Sequence, residues 1–337
     1  MVRTGASSYI RYDWEDTFGT AAFNDSTDKA FGLNTSLTNW TLNTSPKDLP
    51  QLGQTEISNY AYGQQNGSLG VDFTLSNPWI FSALLGQPTK TGSSAPYTYT
   101  WGTANSVSGA NTVDTFSTEV GFQYGSGGSD KVVRQAKGCI LNSLSIGTTI
   151  DGTVDCSADI SYGKEGDDTT TYHASPPVDD LQFPYTFAHG SLKWHDGSSL
   201  ATVAELQSSN ITLGQNTSLL YSLGSNSAVS SFRRVFDITG NFQASWTDNT
   251  IFRQLIDQLA ATNTETIPEA SNIGVELLFT NNQSGAAEKS IKVSLNDVRP
   301  DSIAINGIVP NEPVFETINW RAKTMHITAV NAVAAAL

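Results

Sequence analysis

Basic residues are scarce in this 337-residue sequence: 18 Lys and Arg stand against 32 Asp and Glu, for a formal charge of −14. A protein that grips nucleic acid neutralises phosphates with clustered cations. This balance excludes a general nucleic-acid binder and leaves room only for contact without adhesion. Cysteine is nearly absent, and Cys139 and Cys156 alone make no disulfide framework. The histidines, His173, His189, His195 and His326, fall in no HxxxH, HxxE or Cys-His spacing. His189 and His195 flank a strand-like GSLKW and read as loop residues, so a zinc site is not expected. There is no GxSxG elbow, no GxxxxGK[ST] loop and no GxGxxG between a strand and a helix. The YGSGGSD segment from Tyr124 is a glycine-rich hairpin loop with no helix behind it to hold a phosphate. Long apolar runs are missing too: the C-terminal AVNAVAAAL falls well short of the about 20 residues that cross a bilayer. The opening MVRTGASSYIRYDWED lacks the apolar stretch of a secretory signal. The expectation is a soluble protein made in the cytoplasm, with no cofactor and no membrane partner.

Charged residues make up only 15% of the chain, against about 25% in an ordinary soluble domain. Small polar residues take their place, in runs such as NTSLTNWTLNTS from Asn34 and TKTGSSAPYTYTWGTANSVSGANTVDT from Thr89. Asn, Ser, Thr and Gly favour turns and extended chain over helix, so the composition predicts an all-β protein.

Three stretches recur in one order, and repeats outrank single motifs as evidence of organisation. NWTLN from Asn39 matches NITLG from Asn210, 171 positions on. NGSLGVDFTLSNPWIFSALLG from Asn66 matches TGNFQASWTDNTIFRQLIDQL from Thr239. Here Leu69, Val71 and Phe73 meet Phe242, Ala244 and Trp246 at an offset of 173, and after a two-residue deletion Ile80, Phe81 and Leu84 meet Ile251, Phe252 and Leu255 at 171. LSIGTTIDGTVDCSADISYGK from Leu144 matches IAINGIVPNEPVFETINWRAK from Ile303 at 158 to 159. This predicts an N-terminal arm over 1–32, one copy of a domain over 33–166, a linker over 167–182 with Pro176-Pro177, a second copy over 183–330 and a tail over 331–337.

Alternation places the strands within each copy. Leu69, Val71, Phe73 and Leu75 mark a buried face and Ser68, Gly70, Asp72 and Thr74 a wet one. In the second copy Phe242, Ala244 and Trp246 alternate with Asn241, Gln243, Ser245 and Thr247. Asn77-Pro78 then caps a short helix carrying Ile80, Phe81, Leu84 and Leu85, stopped by Gly86. A corresponding helix over Ile251 to Leu259 is expected in the second copy. Next, Asp151-Gly152 offers a two-residue turn, from which Val154, Cys156, Ala158, Ile160 and Tyr162 return with Asp155, Ser157, Asp159 and Ser161 on the other face. That register sets Cys156 opposite about Gly147, away from Cys139. Each copy is therefore an antiparallel sandwich or partly closed barrel with one short helix.

No enzyme is read from these residues. Asp155 and Asp159 share a strand face with Ser157 between them, but serine neighbours provide no apolar pocket to raise a pKa. EGDDTTT from Glu165 lacks the ligand spacing of a calcium loop. Tyr97, Tyr99 and Trp101 in YTYTW offer either a sugar-stacking platform or, more simply, the buried side of a strand.

The repeated GSLGVDFTLSNPWIFSALLG and GNFQASWTDNTIFRQLIDQL, each followed by a hairpin ending in DISYGK or TINWRAK, resemble the tail tube proteins of long-tailed bacterial and archaeal viruses, in the class with a duplicated tube domain. The resemblance covers most of residues 33–330. It implies a β-sandwich flanked by a helix, whose subunits join sheets into rings. The rings stack into a virion tail tube that holds a tape measure protein, meets terminator and tip proteins, and passes double-stranded DNA without gripping it. If each copy fills one of six sectors, three chains close a ring with pseudo-sixfold symmetry; a hexamer with the second copy outside is the alternative. The wet faces, small, polar and net acidic, are candidates for the lumen, with ordinary solvent faces as the plain alternative. The long polar segment from Asn43 to Gln65, with Lys47, Asp48, Gln51, Gln54, Glu56, Tyr60 and Tyr62, is a candidate inter-ring loop, as are the arm and the tail. The competing functional class is a virion surface or secreted carbohydrate-binding sandwich using YTYTW.

Overall fold

In the computed structural model the described residues are 8–20, 23, 28–50, 52, 57–61, 63–102, 114–124, 130–167, 184–195, 200–203, 206–245, 274–306, 308, 310 and 313–331. The strands of the first half are β1 (Ser8–Trp14), β2 (Leu33–Asn43), β3 (Lys47–Pro50), β4 (Ile57–Ala61), β5 (Asn66–Thr74), β6 (Thr89–Thr91), β7 (Tyr97–Trp101), β8 (Phe116–Tyr124), β9 (Asp130–Thr149) and β10 (Val154–Asp167). Those of the second half are β11 (Gly190–His195), β12 (Leu200–Thr202), β13 (Leu206–Gly214), β14 (Ser218–Tyr221), β15 (Ala228–Phe232), β16 (Asp237–Ser245), β17 (Val275–Thr280), β18 (Ser290–Asn296), β19 (Arg299–Asn306), β20 (Phe315–Ala322) and β21 (Thr324–Asn331). One helix, α1 (Ser82–Leu85), follows a 3-10 turn at Trp79–Phe81. The protein is all-β, as its composition predicts.

Two antiparallel sheets form the layers. The ten-stranded sheet runs β19-β20-β16-β13-β9-β10-β5-β2, with β8 on the first part of β9 and β1 on β8. The seven-stranded sheet runs β12-β11-β17-β18-β21-β7-β6. Alternating apolar residues create the inner faces: Leu69, Val71 and Phe73 on β5, Cys156, Ala158 and Ile160 on β10, and Ile291, Val293 and Leu295 on β18 are all buried. They join one continuous core, and Trp194 of one layer meets Phe242 of the other at 5.6 Å between ring centroids. Burial of each of the Leu, Val, Ile and Phe side chains among them is worth about 1.5–3 kcal/mol relative to leaving it in water.

Asn77 does not cap α1 as its sequence predicts: its Oδ1 accepts from the Trp79 amide at 3.2 Å ahead of the 3-10 turn, whose N-cap is Pro78, while α1 is entered from Phe81; Gly86 ends it at φ 82°. The matching segment in the second half, with Thr247 before it, lies outside the described residues. Tyr99 and Trp101 of β7 are fully buried against Trp79 and Phe81, and Trp101 Nε1 donates to Ser82 Oγ at 2.9 Å. With Tyr99 and Trp101 in the core, Tyr97 is the one ring of the motif left partly exposed, and Lys90 Nζ sits over it at 4.2 Å.

Three further features depart from the sequence reading. The β9–β10 connection is longer than a two-residue turn, running from Ile150 to Thr153, so Cys156 faces Ile146 and Cys139 faces Tyr162. Within the segment read as an arm, Ser8–Trp14 is a strand of the larger sheet, held by the buried Arg11. The third concerns the match between halves. Both place their strands in one order, β2-β5-β10-β9 and β13-β16-β20-β19. Asn39 faces Gly70 where Asn210 faces Asn241, so register sets Val71 and Phe73 against Phe242 and Ala244. That is two positions from the alignment read off the sequence, and no deletion is needed before Ile80. A slide of two leaves alternation unchanged, so the pattern alone cannot detect it. The bulges agree: β10 skips at Asn142 of β9 as β20 skips at Asp301 of β19, and the hairpins β3–β4 and β14–β15 shift register at the same step. Where β9 bends at Gly138 (φ 63°), the second half breaks between β18 and β19 at Asp297 (φ 52°). Gly138 also packs under the Phe18 ring, where a Cβ would lie 2.6 Å from it.

Both cysteines are free and buried. Burial pushes their thiols far above the ordinary range, assisted by the carboxylates of Glu15 near Cys139 and Asp155 near Cys156. The native protein should therefore leave both thiols unlabelled by a thiol reagent at about pH 8.5, where a free cysteine is half ionised, and unfolding should expose two. Labelling of either in the native state would show that the β9–β10 core opens.

Candidate functional site

The outer face of the ten-stranded sheet is built from small polar side chains, and antiparallel register lines them up across strand boundaries. One row passes from Ser36 on β2 through Asp72, Ser157, Ser145 and Thr212 to Thr239 on β16. A neighbouring row joins Thr74, Asp155, Gly147, Asn210, Asn241, Asn319 and Ser302. Both rows cross from the first half to the second at the β9–β13 seam without interruption.

Every candidate lumen residue except Thr247, which lies outside the described residues, has a definite place on this face. Asp155, Ser157 and Asp159 are exposed, while Ser68, Asp72, Ser161, Asn241, Gln243 and Ser245 are half-buried. Two members of the supposed wet face are covered. Thr74 is 4% exposed and donates to Asp155 Oδ1 at 2.9 Å, and Gly70 is buried beneath Thr38 and Asn39 of β2. The added strand β2 accounts for Gly70, and the carboxylate of the neighbouring strand for Thr74. Of the candidate loop, Lys47 and Asp48 are exposed on β3, Asn43 ends β2 and accepts the Ser45 amide at 2.8 Å, and Tyr60 lies on β4. Gln51, Gln54, Glu56 and Tyr62 lie outside the described residues.

The carboxylates on the face are satisfied by neutral donors. Ser157 Oγ donates to Asp72 at 2.6 Å, Thr153 joins Thr74 on Asp155 at 2.8 Å, and Asn142 Nδ2 reaches Asp159 at 3.3 Å and Ser161 at 2.6 Å. Among the described residues none of the three aspartates has a salt-bridge partner. The first row continues from Thr239 to two arginines at the far edge, Arg321 on β20, held by Asp301 at 2.8 Å, and Arg299 opposite it on β19. The surface thus presents negative charge on short side chains that cannot reach far or wrap a ligand. Sequence reasoning found the acidic strands but missed Ser145, Asn210, Thr212 and Thr239, which complete the rows. Their own alternation carried the signal.

Chemistry at this face is meagre. Among the described residues no three His, Cys, Asp or Glu side chains gather as a metal site, and no helix is long and apolar enough to cross a membrane. A shallow depression lies over Asn34, Asp72, Thr74, Ser145, Asp155 and Ser157. What the face offers is extent and uniformity, which suit a wall.

No curated protein matches this sequence. The sequence profile of the phage tail tube protein family matches residues 5–322, nearly the whole chain including β1. Together with the all-β sandwich and the resemblance carried by its repeated strand-helix segments, this match places the chain in the phage tail tube protein family, as a structural component of the virion tail.

Proposed function

We propose that the small-residue face of the ten-stranded sheet lines the tube lumen and that three chains close each ring with pseudo-sixfold symmetry. The observation that carries this is the polar face that runs over eight strands, four from each half, with Asp72, Asp155 and Asp159 unpaired by cations among the described residues. The matching order, bulges and registers of the halves support two copies of one ring-building unit. Their placement in the same sheet favours the trimer over a ring with one copy outside. A DNA duplex in such a lumen meets short acidic and hydroxyl groups, so phosphates are repelled and release no counterions. The tape measure protein fills the same channel before ejection, and terminator and tip proteins cap the ends.

Negative-stain images of the purified protein should show tubes or short ring stacks with threefold or pseudo-sixfold end views; a monomer at every salt concentration would overturn the reading. Inter-ring contact is assigned to the Asn43–Gln65 segment, whose base is steadied by Tyr221 OH on the Gln65 carbonyl at 2.7 Å. Replacing that segment with a short turn should leave folded subunits that no longer stack, and normal tubes from this variant would remove its role.

A further inference from the structure

The seam inside the larger sheet is a template for a seam between molecules. There β13 pairs antiparallel with β9, setting Ile211 against Ile146 and Leu213 against Leu144. All four are buried, Leu213 and Leu144 at 0% exposure. By strand order and register, β2 is the counterpart of β13, and β19 the counterpart of β9. These two strands are the ends of the sheet: among the described residues β2 pairs with β5 and β19 with β20, and neither has a second neighbour.

Carrying the internal register to these edges sets Trp40 opposite Ile305, Thr41 opposite Ala304, Leu42 opposite Ile303 and Asn43 opposite Ser302. Trp40, Leu42, Ile303 and Ile305 all point to the apolar side of the sheet, like their counterparts at the inner seam. In the single chain Leu42 is 41% and Ile305 46% exposed, while Trp40 and Ile303 are partly buried against the core. Thr41, Asn43, Ala304 and Ser302 point the other way, where they extend the small polar rows. The edges are therefore complementary in pattern on both faces, and each carries a row of backbone donors and acceptors that pairing would satisfy.

We propose that β2 of one chain pairs antiparallel with β19 of a second copy in this register, repeating the β13–β9 seam. The proposal rests on the tube reading and specifies its contact. Each chain offers two different edges, so the pairing is head-to-tail and continues until the ring closes.

Paired cysteine substitutions test it, because the native thiols are buried and do not compete. Thr41→Cys with Ala304→Cys places thiols opposite one another, and Thr41→Cys with Ser302→Cys is slid by two. Both variants change exposed edge residues. After assembly and mild oxidation, non-reducing gels should show a ladder ending at a closed species for the first pair, at least tenfold stronger than for the second. Tubes in micrographs without cross-linking of the first pair, or with stronger linking of the slid pair, would overturn the seam while leaving the tube intact. Chains that never associate would overturn both. As a second measure, Leu42→Asp should melt like the parent monomer yet fail to form rings. Rings assembled from it would also overturn the seam.

Discussion

Replacing Arg11 by alanine is expected to lower the unfolding free energy of the unassembled chain by about 3–5 kcal/mol. Arg11 lies on β1 with its side chain 1% exposed. It donates to Asp28, and through Nε and Nη2 to Glu119 at 2.8 and 2.7 Å. Glu119 also accepts from Tyr9 OH at 2.6 Å and Gln135 Nε2 at 2.7 Å. Without the guanidinium, two buried carboxylates face each other with no cation between them, and the desolvation already spent on them is unrecovered. Urea titration of parent and variant should give a lower midpoint with an unchanged slope. A loss under about 1 kcal/mol would mean that water reaches the cluster and that β1 is held by its strand pairing alone.

A second large effect is expected from charge reversal on the polar face. Asp72→Lys, Asp155→Lys and Asp159→Lys together move the formal charge from −14 to −8 per chain, since each exchange adds two units to the parent value. The parent tube should let short linear duplexes go at moderate salt. The triple variant should retain them, protected from nuclease. The affinity should fall by about 10³ or more between 50 and 200 mM salt once six or more phosphates are contacted, with a slope near −0.9 per contact. Circular dichroism melts would confirm that replacing the acceptors of Ser157 and Thr74 left the sheet folded. Variant tubes as indifferent to DNA as the parent would place this face away from the channel.

Much of the fold was written in local pattern. Alternation on β5, β10 and β16 gave the correct inner faces because a half-buried strand must show period two. The same period hid the alignment that strand register favours, since sliding Val71 from Ala244 to Phe242 changes no side chain's face. The strand character of SYIRYDW was invisible for another reason. Its alternate residues Arg11 and Asp13 are charged, and Glu119, the buried partner of Arg11, lies more than a hundred positions away. The candidate site was legible where acidic residues marked it, and blurred where cover came from afar: nothing near Gly70 or Thr74 foretells that Thr38 or Asp155 will close over them.

The crossing of β6 and β7 carries a mechanical consequence. These strands belong to the first half but complete the sheet of the second, with Tyr97 to Trp101 laddered onto Asn331 to Ile327. Separating the halves would mean shearing that ladder and drawing Tyr99 and Trp101 out of the core together, a concerted rupture and not a hinge. Each chain therefore behaves as a stiff plank. If rings close as proposed above, bending of the tube is taken up at the joints between chains, and the bore through each ring keeps its cross-section.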